Sequence, residues 1–188
     1  MSTAAERTRL AWDVLADVAD PELPVLSVVD LGIVRAVDVS DAGTAVAVTL
    51  TPTYSGCPAT EVIAASVRSA LSAEFGRVEL RTQLSPAWTT DWLTDAGRRK
   101  LHAFGIVPPA DLSEGRPLLP IAGGVTAGGA TSAGTAPAGT APPEGRPDAC
   151  PRCGAQDPEL LAAFGSTPCK ALFRCRSCRE PFDYLKRH

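Results

Sequence analysis

Two Cys–X–X–Cys pairs, Cys150-Pro151-Arg152-Cys153 and Cys175-Arg176-Ser177-Cys178, constrain this chain more than any other feature. Each pair brings two thiolates to one metal in a tight turn, and two such knuckles from separate hairpins complete a tetrahedron around Zn²⁺. The spacing predicts a zinc β-ribbon over residues 150–188 with Cys150, Cys153, Cys175 and Cys178 as ligands. Gly154 fits the first knuckle, because a residue there often needs positive φ as backbone N–H groups turn toward the sulfurs. Arg179 holds the corresponding place after the second pair, so that turn is expected to be less ideal. A thioredoxin-like redox pair, a structural disulfide and a rubredoxin-like iron site compete for the same spacing. With all four positions filled by protein no water can be activated, so the zinc is structural and folds a segment too short to make its own core. Phe173, Phe182 and Tyr184 are the expected packing residues. His188 is a nitrogen donor at a terminus that usually frays.

Charge limits what the ribbon can bind. The chain carries a formal −3, but residues 150–188 hold seven Lys/Arg against four Asp/Glu. Four thiolates on Zn²⁺ add about −2, leaving that segment near +1, so bulk attraction to nucleic acid is a poor inference. Arg152, Lys170, Arg174, Arg176, Arg179, Lys186 and Arg187 keep a nucleic-acid-binding ribbon as an alternative, one short of stacking aromatics. Arg7 and Arg9 have no apolar run behind them, and no window approaches the roughly 18 apolar residues of a membrane span. The expectation is an unexported protein of the reducing cytoplasm, without membrane contact, where closely spaced cysteines serve metal or redox work.

Upstream, the apolar pattern changes period three times. Leu10, Ala11, Val14, Leu15 and Val18 recur at helical spacing until Asp20-Pro21. Ile33, Val37 and Val39, then Val46, Val48 and Leu50, alternate on either side of Asp41-Ala42-Gly43 and read as a β-hairpin. Thr51 to Gly56 lead to Cys57-Pro58 and a helix marked by Ile63, Val67, Ala70 and Leu71 that ends near Gly76. A third strand runs through Val78, Leu80, Thr82 and Leu84. A last helix, capped around Thr89/Thr90, carries Trp92, Leu93, Ala96, Leu101 and Phe104. The order α-β-β-α-β-α predicts an α+β domain over residues 1–109, helices on one face of a mixed or antiparallel sheet. From Pro120 to Pro147, 24 of 28 residues are Gly, Pro, Ala, Thr or Ser, too little apolar surface to offset chain entropy. Residues 110–149 are therefore expected to be a flexible linker, whose span of roughly 30 Å lets the ribbon range over the first domain or reach a partner. Oligomeric state is open, a homodimer included, since domains this small often associate.

Two cysteines lie outside the pairs. Cys57 is expected where a loop meets a helix, Pro58 taking the first helical position. Helix N–H groups and the dipole favour thiolate there, so Cys57 is a candidate nucleophile or soft-metal ligand, against the plainer reading of a small buried cap. No histidine lies close to it in sequence to act as a base, which weighs against a thiol-dependent enzyme. Cys169 is a ribbon thiol that the zinc does not need. Lys170 beside it could lower its pKa, making it a candidate for reaction or transient metal transfer, the alternative being an inert buried thiol. Asp20, Glu22 and Asp30 place three carboxylates in loops before the first strand, positions that ordinarily hold helix-stop and turn residues.

Taken together, Asp20-Pro21-Glu22, Val29-Asp30-Leu31-Gly32-Ile33-Val34, Leu50-Thr51-Pro52-Thr53-Tyr54 and Gly56-Cys57-Pro58 resemble the small α+β domain shared by SufT-like proteins and cytosolic iron–sulfur assembly factors, over about residues 8–107. The continuation Ser85-Pro86-Ala87-Trp88-Thr89-Thr90-Asp91-Trp92, Lys100-Leu101 and Gly105-Ile106-Val107-Pro108-Pro109 looks like the PaaD (PaaJ) branch, the D component of phenylacetyl-CoA epoxidase. Phe164 to Lys170 and Cys178 to Asp183 resemble the ribbon of that branch. The resemblance implies participation in aerobic phenylacetate breakdown, with the oxygenase and reductase subunits as partners. It also implies a role in assembling iron or iron–sulfur centres, with Cys57 a transient ligand, Asp20, Glu22 and Asp30 shaping its site, and the ribbon contacting the client. Catalytic residues are not expected: the paired Glu–X–X–His motifs of a di-iron bundle and the Gly–X–Gly–X–X–Gly fingerprint are both absent from the sequence. A non-catalytic structural component of the oxygenase is the remaining alternative.

Overall fold

A computed structural model describes residues 3–109, except 41 and 55, and residues 145–187. Most of the expected linker, residues 110–144, lies outside the described residues, as does His188.

The first unit follows the predicted order. Helix α1 (Ala4–Ala16) begins earlier than its apolar repeat, because Thr3 and Glu6 form a reciprocal capping box. It also ends earlier than Asp20-Pro21. Asp17 caps it, and the chain then folds back, the Val28 N–H donating to the Val18 carbonyl and the Asp20 N–H to that of Leu26. Strands β1 (Val34–Val39) and β2 (Ala45–Leu50) form the predicted antiparallel hairpin, with Val37 opposite Val48. Helix α2 (Thr60–Ser72) leads to β3 (Arg77–Thr82), which runs parallel to β2, so the three-stranded sheet is mixed with β2 central.

The alternation Val46, Val48, Leu50 turns one face of β2 into the core, where Ala11 and Leu15 of α1 and Ile63, Val67 and Leu71 of α2 cover it. The expected last helix is divided. Thr89 precedes a short 3₁₀ turn, Thr90–Trp92, and α3 (Asp95–Phe104) starts afresh after Thr94, whose hydroxyl accepts the Gly97 N–H at 3.0 Å. Leu93 separates the two with extended backbone that a single helix could not contain.

Strand β4 (Ile106–Val107) leaves α3, and after the linker β5 (Glu159–Ala162), β6 (Lys170–Arg174) and β7 (Pro181–Leu185) make the ribbon. Phe173 stacks on Phe182 with ring centroids 6.1 Å apart and meets Tyr184 edge-on at 5.7 Å, so the three expected aromatics are the ribbon's core. Sequence reasoning let this ribbon range freely, whereas the structure docks it. Strand β4 joins β7 in parallel and completes a four-stranded sheet in the order β4-β7-β6-β5. Cys169 and Leu185 are buried in the core of the first unit, supplying the apolar contact that holds the two together.

Candidate metal centres

Backbone turns set the first site. The Gly154 N–H donates to the Cys150 carbonyl at 2.9 Å and the Arg179 N–H to the Cys175 carbonyl at 3.1 Å. Both residues are left-handed, at φ +71° and +66°. Arg179 thus makes the same knuckle as Gly154 despite carrying a side chain, and the expected difference between the turns is small. The N–H groups of Arg152 and Cys178 each point at a ligand sulfur, Cys150 and Cys175 respectively, at 3.4 Å. The four Sγ atoms lie within 4.8 Å of one another, with Cys150–Cys178 at 3.8 Å and Cys153–Cys175 at 3.5 Å. Zn–S bonds of about 2.3 Å in a tetrahedron place sulfurs about 3.8 Å apart, so the cage fits a structural zinc and leaves no open position.

The basic side chains around the ribbon are largely engaged. Arg174 pairs with Glu159 at 2.9 Å, Arg176 with Asp157 at 3.2 Å and Lys170 with Asp183 at 3.2 Å. Lys186 lies over the Phe164 ring at 4.0 Å. Such pairing removes much of the free cationic surface that a phosphate backbone would need.

The second site lies beyond the carboxyl ends of β2 and β3. Leu50, the last residue of β2, and Thr82, the last of β3, border an apolar cleft that Cys57, Cys169, Asp20 and Glu22 also line. Its free volume is about 50 Å³, room for a few water-sized bodies and far less than a coenzyme thioester occupies. Trp88 forms part of its wall, fixed by its indole N–H donating to the Leu31 carbonyl at 2.8 Å.

Cys57 stands three residues before α2, so Pro58 does not occupy the first helical position as expected. The Cys57 carbonyl accepts from both the Thr60 N–H, at 3.2 Å, and the Thr60 hydroxyl, at 2.9 Å, which folds Pro58-Ala59 into a turn and delays the helix. The Cys57 N–H donates to the Tyr54 carbonyl at 3.2 Å. Asp20 is buried, and its Oδ1 accepts the N–H groups of Glu22 and Leu23 at 2.9 and 2.7 Å. Burial raises its pKa more than those donors lower it. Its geometry makes it the residue that sets the turn carrying Glu22.

Cys169 is only 6% exposed. Burial pushes its thiol up, more than the Thr167 hydroxyl at 3.1 Å and Lys170 pull it down, with Glu22 adding to the rise. The activation expected from Lys170 is therefore outweighed, and the Lys170 ammonium is turned to Asp183. The Cys169 Sγ lies 3.8 Å from Glu22 Oε2. Tyr54 feels the same crowding: desolvation raises its phenol first, and Cys57, Glu22 and Cys169 each add to the shift.

The structure does not bring Asp30 to this cleft. Its Oδ2 accepts from the Ser27 N–H and hydroxyl, both at 3.0 Å, and from Lys100 at 2.6 Å. Burial alone would raise its carboxyl, but Lys100 and Ser27 together hold it below the usual range. The Asp30 carbonyl also accepts the Thr94 N–H at 2.9 Å, so this residue staples the loop before β1 to α3. Sequence reasoning missed Tyr54, Trp88 and Lys186 as neighbours of the site. Tyr54 and Trp88 stood inside the family-like segments, and Lys186 stood out only as one of the ribbon's basic side chains, although the Cys169 sulfur acts on its ammonium.

Comparison with known proteins finds a family for each unit. Residues 135–186 match the family described as PaaD zinc beta ribbon domain, and residues 11–79 the family described as iron-sulfur cluster assembly protein. A protein of Escherichia coli (strain K12), named as the D component of a "Putative 1,2-phenylacetyl-CoA epoxidase", is 43% identical over 176 residues, 93% of this chain and 90% of its own. A Porphyromonas gingivalis protein named "Fe-S protein maturation auxiliary factor" is 36% identical over 89 residues, 46% of this chain and 83% of its own. The crystal structure of a DUF59 domain of unknown function from Bacillus anthracis overlays with a TM-score of 0.49 at 26% identity, covering 52% of this chain and 93% of its own.

Proposed function

Because the chain belongs to the PaaD family of phenylacetyl-CoA epoxidase subunits, we propose that it is an accessory factor that assists iron or iron–sulfur assembly in the oxygenase or reductase of that system. One observation carries the reading. The cleft presents thiols and a carboxylate to a space of about 50 Å³, which suits an ion or a small cluster better than a coenzyme thioester. The match of residues 11–79 to iron–sulfur assembly proteins supports the same reading, as does the relative named for Fe–S protein maturation.

In this reading Cys57 receives the iron, Glu22 adds an oxygen donor, and Asp20 fixes Glu22 by accepting the two N–H groups of its turn. Asp30 acts at a distance, holding α3 against the loop before β1. The structural zinc shapes the ribbon, whose outer surface meets the client subunit. The work takes place in the cytoplasm, where the client enzymes fold; among the described residues no helix is long and apolar enough to cross a membrane.

Replacing Cys57 tests the role. Co-expressed with the oxygenase and reductase, Cys57→Ser leaves the accessory protein's zinc content at one per chain and lowers the clients' iron content and activity together. Full client metallation with this variant would sink the transfer role. Clients that are fully metallated without the protein, yet inactive until it is added, would favour a non-catalytic structural component.

A further inference from the structure

The ribbon carries a charge cluster of its own, away from the cleft. Arg174 of β6 and Arg176 and Arg179 of the second knuckle surround Glu159 of β5, and the four line an open depression with about 270 Å³ of free volume. We propose that this basin is a docking site for an acidic segment of a client protein, whose carboxylates pair with Arg179 and its neighbours. The inference rests on the reading of the chain as an assembly factor with the oxygenase or reductase as client, and it names the ribbon surface that meets that client.

Arg179 is the residue that a purely structural knuckle does not explain. Its φ of +66° disfavours every residue that carries a Cβ. The first knuckle makes the same backbone turn with Gly154 at φ +71°, so the cage itself does not require an arginine there. Among the described residues the Arg179 guanidinium has no ion-pair partner, whereas Arg174 is held by Glu159 and Arg176 by Asp157. The guanidiniums of Arg146, Arg174, Arg176 and Arg179 share only the carboxylates of Asp157 and Glu159. Zinc thiolates, with a net charge of about −2, offset this excess in bulk, but sulfurs bound to metal cannot offer the paired oxygens that fit a guanidinium fork. Glu159 shows what the basin accepts. Its carboxylate takes Arg174 at 2.9 Å and is held below the usual range by Arg174 first, with Arg176 and Arg179 adding to the effect.

The partner's chemistry follows from the surroundings. A nucleic acid needs a row of free cations along its backbone, and the pairing of Lys170, Arg174 and Arg176 withdraws most of them. A single basin suits a short acidic stretch of protein. Strand β5 is the outer strand of the four-stranded sheet and carries the exposed Leu161, so a protein segment lying there gains apolar contact and an open strand edge beside the charge. Glu159 competes with the incoming carboxylate, which keeps the contact reversible, as a factor that visits and leaves its client requires.

Biolayer interferometry of the full, zinc-loaded chain against the purified oxygenase and the purified reductase tests this. Wild type should bind at least one of them, more weakly as salt rises. Arg179→Gly should lower that affinity about tenfold and lose much of the salt dependence. It should nevertheless hold zinc against a chelator at least as well as wild type, because glycine relieves the left-handed position. Glu159→Gln should tighten binding by removing the internal competitor. Wild-type affinity in both Arg179→Gly and Arg176→Gln would overturn the docking site. So would a wild-type chain that binds neither client, or one that prefers short single-stranded DNA to both. Faster zinc loss in Arg179→Gly, with binding falling in step, would assign Arg179 to the cage and overturn it as well. Client iron content keeps the two readings apart: Arg179-dependent binding to clients that are fully metallated without this chain would leave the docking site standing and remove the assembly role.

Discussion

Gly32 is where the site's scaffold is most sensitive to one added carbon. Its φ is +67°, and a Cβ there would lie 2.2 Å from the Trp92 carbonyl oxygen and 2.8 Å from Trp92 Cβ. An L side chain in left-handed conformation costs about 1–2 kcal/mol. The clash adds about 1–3 kcal/mol, as overpacking typically does, because the neighbour is backbone and cannot rotate away. That backbone belongs to the 3₁₀ turn whose Trp92 ring stacks under the Arg35 guanidinium at 3.5 Å. Gly32→Ala should therefore destabilise the first unit by about 3 kcal/mol. Gly105→Ala is the internal control: φ is +86° but nothing lies within 4 Å, so only the conformational cost of about 1–2 kcal/mol applies.

Urea unfolding followed by tryptophan fluorescence reports on this unit, since Trp12, Trp88 and Trp92 all belong to it. At a slope of about 1 kcal/mol per molar the midpoint should fall by about 3 M for Gly32→Ala, and by about half that for Gly105→Ala, with the slope unchanged. Equal shifts for the two variants, or a Gly32→Ala loss under about 1 kcal/mol, would refute the close approach of the 3₁₀ turn to Gly32.

Asp30→Asn should cost about 1–2 kcal/mol at neutral pH by weakening hydrogen bonds to a charged group. It should also flatten the acid limb: a carboxyl held below its unfolded pKa stabilises the fold above that value and loses the contribution as pH falls through the folded one. Midpoints measured between pH 7 and 3 that run parallel for variant and wild type would contradict this. Thr51→Val should stabilise by about 1 kcal/mol, because the Thr51 Oγ1 is buried without a hydrogen-bond partner; a thermal scan showing destabilisation would count against that reading.

The paired cysteines were legible because metal geometry fixes their spacing, and the three aromatics between and after them had no other core to join. The strands of the first sheet were legible in Val46-Ala47-Val48-Thr49-Leu50 and its neighbours, since one face is buried and the other is not. Strand β4 was not, because Ile106-Val107 is too short to show a period. With β4 unread, the docking of the ribbon was hidden, and with it the cleft that Cys57 and Cys169 both line. The helix boundary at Cys57 was misplaced because a hydroxyl, that of Thr60, competes for the carbonyl that Pro58 was expected to leave to the helix. Asp30 looked like Asp20 in sequence, and only Lys100 and Ser27 distinguish its role.

The proposed assembly role requires the client enzymes to depend on this chain for their metal. The most direct measurement is iron and acid-labile sulfide per polypeptide in the oxygenase and reductase, purified from cells with and without this protein and assayed for activity alongside. Without it, both clients should be made in normal amounts, at least one should be short of metal, and activity should fall in proportion. Clients with full metal content in its absence would contradict the claim.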